Sequence, residues 1–228
     1  MTNLPAGHTQ RVSDFLSKVQ ASKRGRLMFI VDATGSRERV WDMASKLQAD
    51  MFNAAAGIGT LDVQVCYFRG GGYGPAECKA SPWSTDAREL QHFMGNIRCD
   101  AGYTKYARAL AHVRKEHEQQ AISAVIAIGD MLEEEPRTLY DAVAGLGAPL
   151  FAFQEGNDFE QPEVARLREA FQEMARLTKG AYHAFDAGSI AQLRELLRAV
   201  AVFATGGLNA LADLRTDSAR KLLGQMKK

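Results

Sequence analysis

Three separated segments of the sequence carry oxygen-bearing side chains in patterns that could bind a divalent cation. They are an Asp-x-Thr-x-Ser segment at 32–36, a Gly-x-Thr segment at 102–104 and a Gly-Asp pair at 129–130. Carboxylates and hydroxyls are hard ligands, which suit Mg²⁺ or Mn²⁺ better than the softer metals that thiolates select. The candidate ligands are Asp32, Thr34, Ser36, Thr104 and Asp130.

Buried strands are predicted directly before two of these segments. Residues 27–31 and 122–128 are continuous apolar runs, as expected for strands covered on both faces of a parallel sheet. Asp32 and Asp130 stand at their carboxyl ends. Further strands are predicted at 61–68, 149–153 and 181–185, and a short antiparallel strand at 76–80 returns from the glycine-rich turn at 70–74.

Helical periodicity separates these strands, and the alternation predicts an α/β fold. We expect a doubly wound, mostly parallel, Rossmann-like sheet of six strands, with one antiparallel edge strand and helices on both faces. Ligands bind such sheets at the carboxyl ends of the central strands, so the three segments are expected to meet there. The predicted organisation is an N-terminal helical extension at 1–25, the α/β domain at 26–205 and a C-terminal helix at 206–228.

Each segment taken alone also has an ordinary structural interpretation. Asp, Ser and Thr commonly cap helix N-termini by accepting hydrogen bonds from free backbone N–H groups. Ser36 or Asp32 could cap the helix predicted over 38–54, and Thr104 and Asp130 could cap the helices that follow them. Only the order of the three segments, at the right strand ends, favours a shared metal site.

In that order the segments resemble the metal-ion-dependent adhesion site (MIDAS) of the von Willebrand factor type A (VWA) domain. The resemblance covers about residues 26–204, and the chain looks like the solitary, intracellular, bacterial type. It implies that Ser36 and Thr34 ligate the metal directly, that Thr104 does so directly or through water, and that Asp32 and Asp130 act partly through bound waters. Thr34 stands where the family more often has serine, and it keeps the hydroxyl.

The function implied is a metal-dependent protein–protein interaction without catalysis. A cation held by few charges retains positive character and favours an anionic ligand, which an acidic side chain of a partner protein supplies. Solitary intracellular members of the family often assist ATPase or kinase machines, so such a complex is the expected partner.

One enzymatic alternative remains open from the residues. Asp32 after the first strand and Asp130 in an acidic Gly-Asp segment are similar to the nucleophile and metal motif of haloacid-dehalogenase-type phosphatases. Those enzymes need a second aspartate two residues after the nucleophile as a general acid, and Thr34 stands at that position.

Composition excludes several other classes. With 228 residues and a formal net charge of +1, the chain has no basic field for a nucleic-acid partner. No apolar leader and no continuous apolar run of membrane-spanning length is visible, and an odd count of three cysteines favours a reducing compartment. We therefore expect a cytoplasmic protein that does not act at a membrane.

Three smaller features give structural expectations. Cys66 and Cys78 are symmetric about Gly72, so they are expected to face each other across a hairpin as reduced, packed thiols. The acidic run 133–135 precedes Pro136 and is expected to cap the helix that begins there. His112 and His117 are expected at the surface.

Overall fold

The computed structural model describes residues 24–37, 61–156 and 161–226. Within these ranges the chain forms six strands and six α-helices. The strands are β1 (Gly25–Asp32), β2 (Leu61–Arg69), β3 (Glu77–Ala80), β4 (Ala124–Gly129), β5 (Leu150–Glu155) and β6 (Ala181–Phe185). The helices are α1 (Ala87–Gly95), α2 (Tyr106–Gln119), α3 (Pro136–Val143), α4 (Pro162–Leu177), α5 (Ile190–Asp213) and α6 (Asp217–Met226).

All six strands belong to one sheet, in the order β3-β2-β1-β4-β5-β6. Only the pairing of β2 with β3 is antiparallel, and the other four pairings are parallel. The predicted α/β architecture, with its single antiparallel edge strand, is therefore confirmed. The helices predicted at the N-terminus and over 38–54 lie outside the described residues.

The burial of β1, which lies in the middle of the sheet, explains the continuous apolar run at 27–31. All eight residues of β1 are buried, because layers of helices cover both faces of the sheet. Leu27, Phe29 and Val31 face a core built with α1, α5 and α6, whereas Met28 and Ile30 face a second core built with α2, α3 and α4. The five residues between Arg26 and Asp32 therefore have no exposed position that would keep a polar side chain.

The sheet changes direction beside β1. The chain places β2 on one side of β1 and later β4 on its other side, so the connections that leave the carboxyl ends of β1 and β4 diverge. This is the topological switch point, where open α/β sheets form a crevice for ligands. Asp32 ends β1 at this point, and Asp130 directly follows β4.

The C-terminal helices differ from the prediction. The glycine pair 206–207, where the predicted C-terminal helix begins, does interrupt the helix: Gly207 has a φ of 66°, so α5 consists of two helical stretches joined by a kink. The helix resumes and ends at Asp213, and the separate helix α6 begins only at Asp217. The prediction of one C-terminal helix that begins at 206 is therefore wrong, because the helix is broken at 214–216, where Arg215 has a φ of 51°.

Helix α5 is also long and apolar enough to span a membrane on length and composition alone. Its most apolar stretch has a mean hydropathy of 1.2, and 44% of that stretch is buried. Among the described residues it is the one helix with this property, and its polar positions keep it from being a continuous apolar run in the sequence. Its inner face, including Leu197 and Val200, packs into the core beneath β1.

Helix α6 is fastened to the outer strand of the sheet by one side chain. The Gln225 carboxamide accepts a hydrogen bond from the Tyr182 N–H (2.9 Å) and donates one to the Tyr182 carbonyl (3.0 Å). Tyr182 lies on β6, which pairs with β5 on its inner side. The amide therefore satisfies backbone groups on the open side of β6, where no further strand is paired within the described residues.

Candidate metal site

The first predicted segment forms a tight turn at the end of β1. The Asp32 carboxylate accepts a hydrogen bond from the Thr34 N–H at 2.8 Å, which fixes the turn locally. The hydroxyls of Thr34 and Ser36 lie 3.3 Å apart. Asp32 and Thr34 are buried, at 0% and 5% exposure, whereas Ser36 is exposed. One carboxylate and two hydroxyls thus lie together at the mouth of the switch-point crevice.

Backbone pairing ties this turn to the loop that precedes α2. The Asp100 N–H donates to the Ala33 carbonyl at 3.1 Å, and the Ala33 N–H donates to the Phe68 carbonyl at 3.0 Å. Thr34 and Asp100 form an isolated parallel bridge. The loop over 100–104 is therefore held against the Asp32–Ser36 turn by main-chain contacts.

The glycine-rich turn at 70–75 reaches the same edge of the sheet. Gly71 and Gly102 form an antiparallel bridge, and the Tyr103 N–H donates to the Gly70 carbonyl at 3.4 Å. A Cβ at Gly102 would lie 1.8 Å from that carbonyl oxygen, so only glycine permits this approach. Tyr73 and Tyr103 project from the paired loops and are among the most exposed large side chains of the described residues.

The second and third segments are joined through Thr104. Its hydroxyl accepts a hydrogen bond from the Glu133 N–H at 3.2 Å, and the Glu133 carboxylate accepts one from the Thr104 N–H at 3.0 Å. Glu133 belongs to the loop that begins with Asp130, so this reciprocal pair holds Thr104 against that loop. Thr104 is fully buried, and its hydroxyl keeps a lone pair that could face a cation.

The capping interpretation does not hold for Thr104 or Asp130. Helix α2 begins at Tyr106, with Lys105 at its N-cap position, and α3 begins at Pro136, with Glu135 at its N-cap position. Neither N-cap side chain makes a capping hydrogen bond. Thr104 and Asp130 lie outside both positions, so neither residue type is explained by helix capping.

Glu134 instead caps α2 from a different loop. Its carboxylate accepts hydrogen bonds from the Tyr106 N–H at 2.6 Å and the Ala107 N–H at 3.1 Å. The prediction that the acidic run caps the helix at Pro136 is therefore wrong, since Glu133 and Glu134 both serve the start of α2. The signal available in the sequence was Lys105, which cannot cap and leaves these amides in need of an acceptor.

We expect Glu134→Ala to lower the free energy of unfolding by about 1–2 kcal/mol, because two helix amides lose their acceptor. Glu135→Ala is the matched control, since Glu135 is exposed and makes no capping bond. Urea unfolding of both variants measures the difference. Equal stability of the two variants would contradict the capping role.

Asp130 contributes a carboxylate oxygen buried at the same edge. Its Oδ1 has no hydrogen-bond partner within the described residues. The preceding residue, Gly129, lies against the first segment, since a Cβ built on it would be 3.7 Å from the Asp32 Cβ. A buried carboxylate oxygen without a donor is costly unless a cation or water completes it.

The donor set fits a hard divalent cation. Two carboxylates and three hydroxyls come from three interlocked segments at one edge of the sheet, and one carboxylate oxygen is buried and available. Across the described ranges no group of three or more His, Cys, Asp and Glu side chains is placed to hold a metal. The candidate site therefore depends on hydroxyl ligands, as Mg²⁺ and Mn²⁺ sites with several oxygen donors allow.

The histidines of α2 lie deeper than predicted. His112 is half-buried and hydrogen-bonded to the Gln64 carboxamide at 2.9 Å. His117 accepts a hydrogen bond from the Ile122 N–H at 3.1 Å through Nδ1. Burial lowers the pKa of His112, so its neutral form is favoured. Both are therefore partly buried and hydrogen-bonded, and neither is a fully exposed surface group.

Solved structures with the same architecture place the chain among known folds. It is similar to a von Willebrand factor type A protein from Catenulispora acidiphila, with a TM-score of 0.58 and 17% identity over 80% of this chain and 43% of that one. It is similar to the protein BatB from Bacteroides thetaiotaomicron, with a TM-score of 0.55 and 18% identity over 75% of this chain and 96% of that one.

A third similar structure carries a metal. It is the proximal thread matrix protein 1 from the mussel byssus with a zinc-occupied MIDAS motif, which has a TM-score of 0.55 and 13% identity over 78% of this chain and 48% of that one. The chain thus spans less than half the length of the Catenulispora and mussel proteins. No protein-family model and no curated protein matches the sequence. At these identities the likeness shows a shared fold.

Proposed function

We propose that this chain, which has the fold of a von Willebrand factor A domain, is a metal-dependent protein-binding module. Asp32, Thr34, Ser36, Thr104 and Asp130 would hold Mg²⁺ or Mn²⁺, and the ion would bind an acidic side chain of a partner protein. The observation that carries the proposal is the interlocking of the three segments at the switch point, where backbone pairing and the Thr104–Glu133 pair leave the hydroxyls and carboxylates at one edge.

The charge of the donor set favours an acidic partner. Two carboxylates balance a divalent charge only if both bind it closely, and three of the five donors are neutral hydroxyls. The ion would therefore supply residual positive charge at a surface-exposed edge, beside the exposed Ser36. A carboxylate is the protein group that best complements such an ion.

The surroundings suit a protein surface as the ligand. Tyr73 and Tyr103 are 104% and 55% exposed on the two loops that border the site. Exposed tyrosines are common in protein interfaces, because they offer apolar area with a polar end. As part of the same proposal, we expect a cytoplasmic partner within an ATPase or kinase complex.

A binding role is favoured over hydrolysis by the residue at position 34. A phosphatase that used Asp32 as its nucleophile would need a general acid two residues later, and the Thr34 hydroxyl is a poor proton donor beside Ser36. Measured turnover of an aryl phosphate that disappears in Asp32→Asn would support the hydrolase alternative.

Calorimetric titration with Mg²⁺ and with Mn²⁺ tests the metal site directly. We expect Ser36→Ala to weaken the affinity at least about tenfold, because one ligand is lost. Thr85→Ala is the matched control, since it removes another exposed hydroxyl close to the Val63–Ser84 pairing, away from the carboxyl edge. Equal metal affinity in the wild type and both variants would contradict the site.

The partner interaction needs a separate experiment. We expect affinity capture from native lysate to retain a specific protein with added Mg²⁺ and to lose it with chelator or in Ser36→Ala. Thr85→Ala is expected to retain it. A capture that is indifferent to chelator, together with normal metal binding, would leave the site intact but refute metal-mediated adhesion.

A further inference from the structure

Two cysteines face each other at the root of the β2–β3 hairpin. Cys66 on β2 and Cys78 on β3 place their Sγ atoms 3.8 Å apart, as the sequence symmetry about Gly72 predicts. Cys66 is buried at 1% exposure, whereas Cys78 is only partly buried. The pair is thus a packed thiol pair in which Cys78 is the less buried residue.

The two sulfurs differ in chemical character. The hydrogen bond with Cys78, with burial as a second cause, raises the pKa of Cys66 far above its usual range. The hydrogen bond from Cys66 lowers the pKa of Cys78, and the charge of Arg108 adds to this, while burial and Glu134 oppose it. Cys78 is therefore the sulfur that ionises, and Cys66 is the one that holds the proton.

We propose that Cys66 and Cys78 form a reversible thiol–disulfide site that reacts with small-molecule disulfides such as oxidised glutathione. The two sulfurs lie 3.8 Å apart, and Cys78 is only partly buried. This site is independent of the proposed metal site, since neither cysteine is among the five candidate ligands.

The reaction proceeds by two thiol–disulfide exchanges. The Cys78 thiolate attacks one sulfur of oxidised glutathione, so that a mixed disulfide forms and a glutathione thiolate leaves and takes up a proton. Cys66, which no longer faces a thiolate, then loses its proton and attacks the Cys78 Sγ. The second glutathione thiolate departs and is protonated, so two protein thiols and one small disulfide become one protein disulfide and two free thiols.

The position on the sheet makes such a bridge feasible and easy to reduce. Cys66 is paired in register with Ala80, and Cys78 is paired with Phe68, so the cysteines are diagonal neighbours. Diagonal positions lie farther apart than a relaxed disulfide requires. The four-residue edge strand β3 must therefore shift towards β2, and a bridge closed with such distortion is readily reduced again.

Oxidation of the cysteine pair would affect the turn at the carboxyl end of β2. The hairpin that carries the two cysteines ends in the turn at 70–75, which pairs with the loop over 100–103. A covalent bridge at its root would restrict the movement of β3 relative to β2. The redox state of the pair would then set how firmly this turn is held.

Intact mass spectrometry after incubation with millimolar oxidised glutathione tests the proposal. We expect the wild-type chain to lose two hydrogen atoms and to gain no glutathione on this pair, with Cys66 and Cys78 joined in the non-reducing peptide map. The bridged form should exceed the glutathione adduct on Cys99 at least about tenfold, because the second step is intramolecular. Excess reduced glutathione should reverse it.

The variants separate the two steps. Cys66→Ser is expected to stop at a mixed disulfide on Cys78, Cys78→Ser to leave the buried Cys66 unmodified, and Cys99→Ser to behave as the wild type. A stable wild-type adduct on Cys78, a bridge that includes Cys99, or equal labelling of Cys66 in Cys78→Ser would each overturn the proposal. Thermal melting of the reduced variants checks that they are folded.

Discussion

Gly129→Ala is expected to lower the free energy of unfolding by about 3 kcal/mol, because the added methyl group overpacks a rigid site. A Cβ at this position would lie 1.7 Å from the Tyr106 Oη and 3.0 Å from its Cζ. The Tyr106 ring is 1% exposed and packs edge-on against Phe68 and Phe171, with ring centroids 4.8 and 5.4 Å away. Burial and these two ring contacts oppose a shift of the Tyr106 side chain away from the added methyl group.

A second substitution identifies the cause of the loss. Tyr106→Phe removes the oxygen that the new methyl group would meet, so the double variant should be more stable than the sum of the two single changes predicts. Gly74→Ala is the control, since no heavy atom lies within 4 Å of its Cβ position. Urea unfolding of the four variants gives the coupling. An additive result, or a stable Gly129→Ala, would contradict this packing.

Asp32→Asn is expected to weaken Mn²⁺ binding by about 100-fold or more while the fold is retained. Asp32 is fully buried, and one of its oxygens accepts the Thr34 N–H at 2.8 Å. Asparagine keeps the volume and this acceptor but removes the negative charge. The loss should therefore appear in the metal affinity measured by calorimetry, with little change in the thermal melting of the metal-free protein.

The control for this change is a carboxylate in the neighbouring loop. Asp100 is exposed and pairs with the Asp32–Ser36 turn through its backbone, so Asp100→Asn removes the same charge without removing a proposed ligand. It should alter the affinity only slightly, because salt screens exposed charges. Similar weakening in both variants would point to a general field effect and against ligation by Asp32.

The strands of the sheet could be predicted because each one is marked by its own short apolar stretch of sequence. The runs 27–31 and 124–128 have no polar interruption, and the structure buries the corresponding strands on both faces. The strand at 181–185 is found with the predicted bounds. Two features of the helices depart from prediction: α2 is capped by Glu134 from another loop, and the C-terminal helix is broken at 214–216. Which residue caps a helix, and where a helix ends, depend on tertiary packing, and the spacing of residues along the sequence does not determine them.

The site could be predicted only as a set of residue types at strand ends. What holds these residues in place is main-chain pairing, such as that between Ala33 and Asp100, and pairing of this kind leaves no side-chain signature. The role of Glu134 was missed for a similar reason, since it caps a helix that begins 28 residues earlier in the chain. The fold determines which distant backbone groups a charged residue such as Glu134 contacts, and the local sequence does not show this.

The hydrogen bonds from Gln225 of α6 to β6 have a consequence for association between copies of the chain. An outer strand with free N–H and C=O groups is a template for strand addition and aggregation. At Tyr182 both groups are already occupied by this side chain. A foreign strand that extended the sheet there would first have to displace the Gln225 carboxamide, so this side chain hinders strand addition at Tyr182.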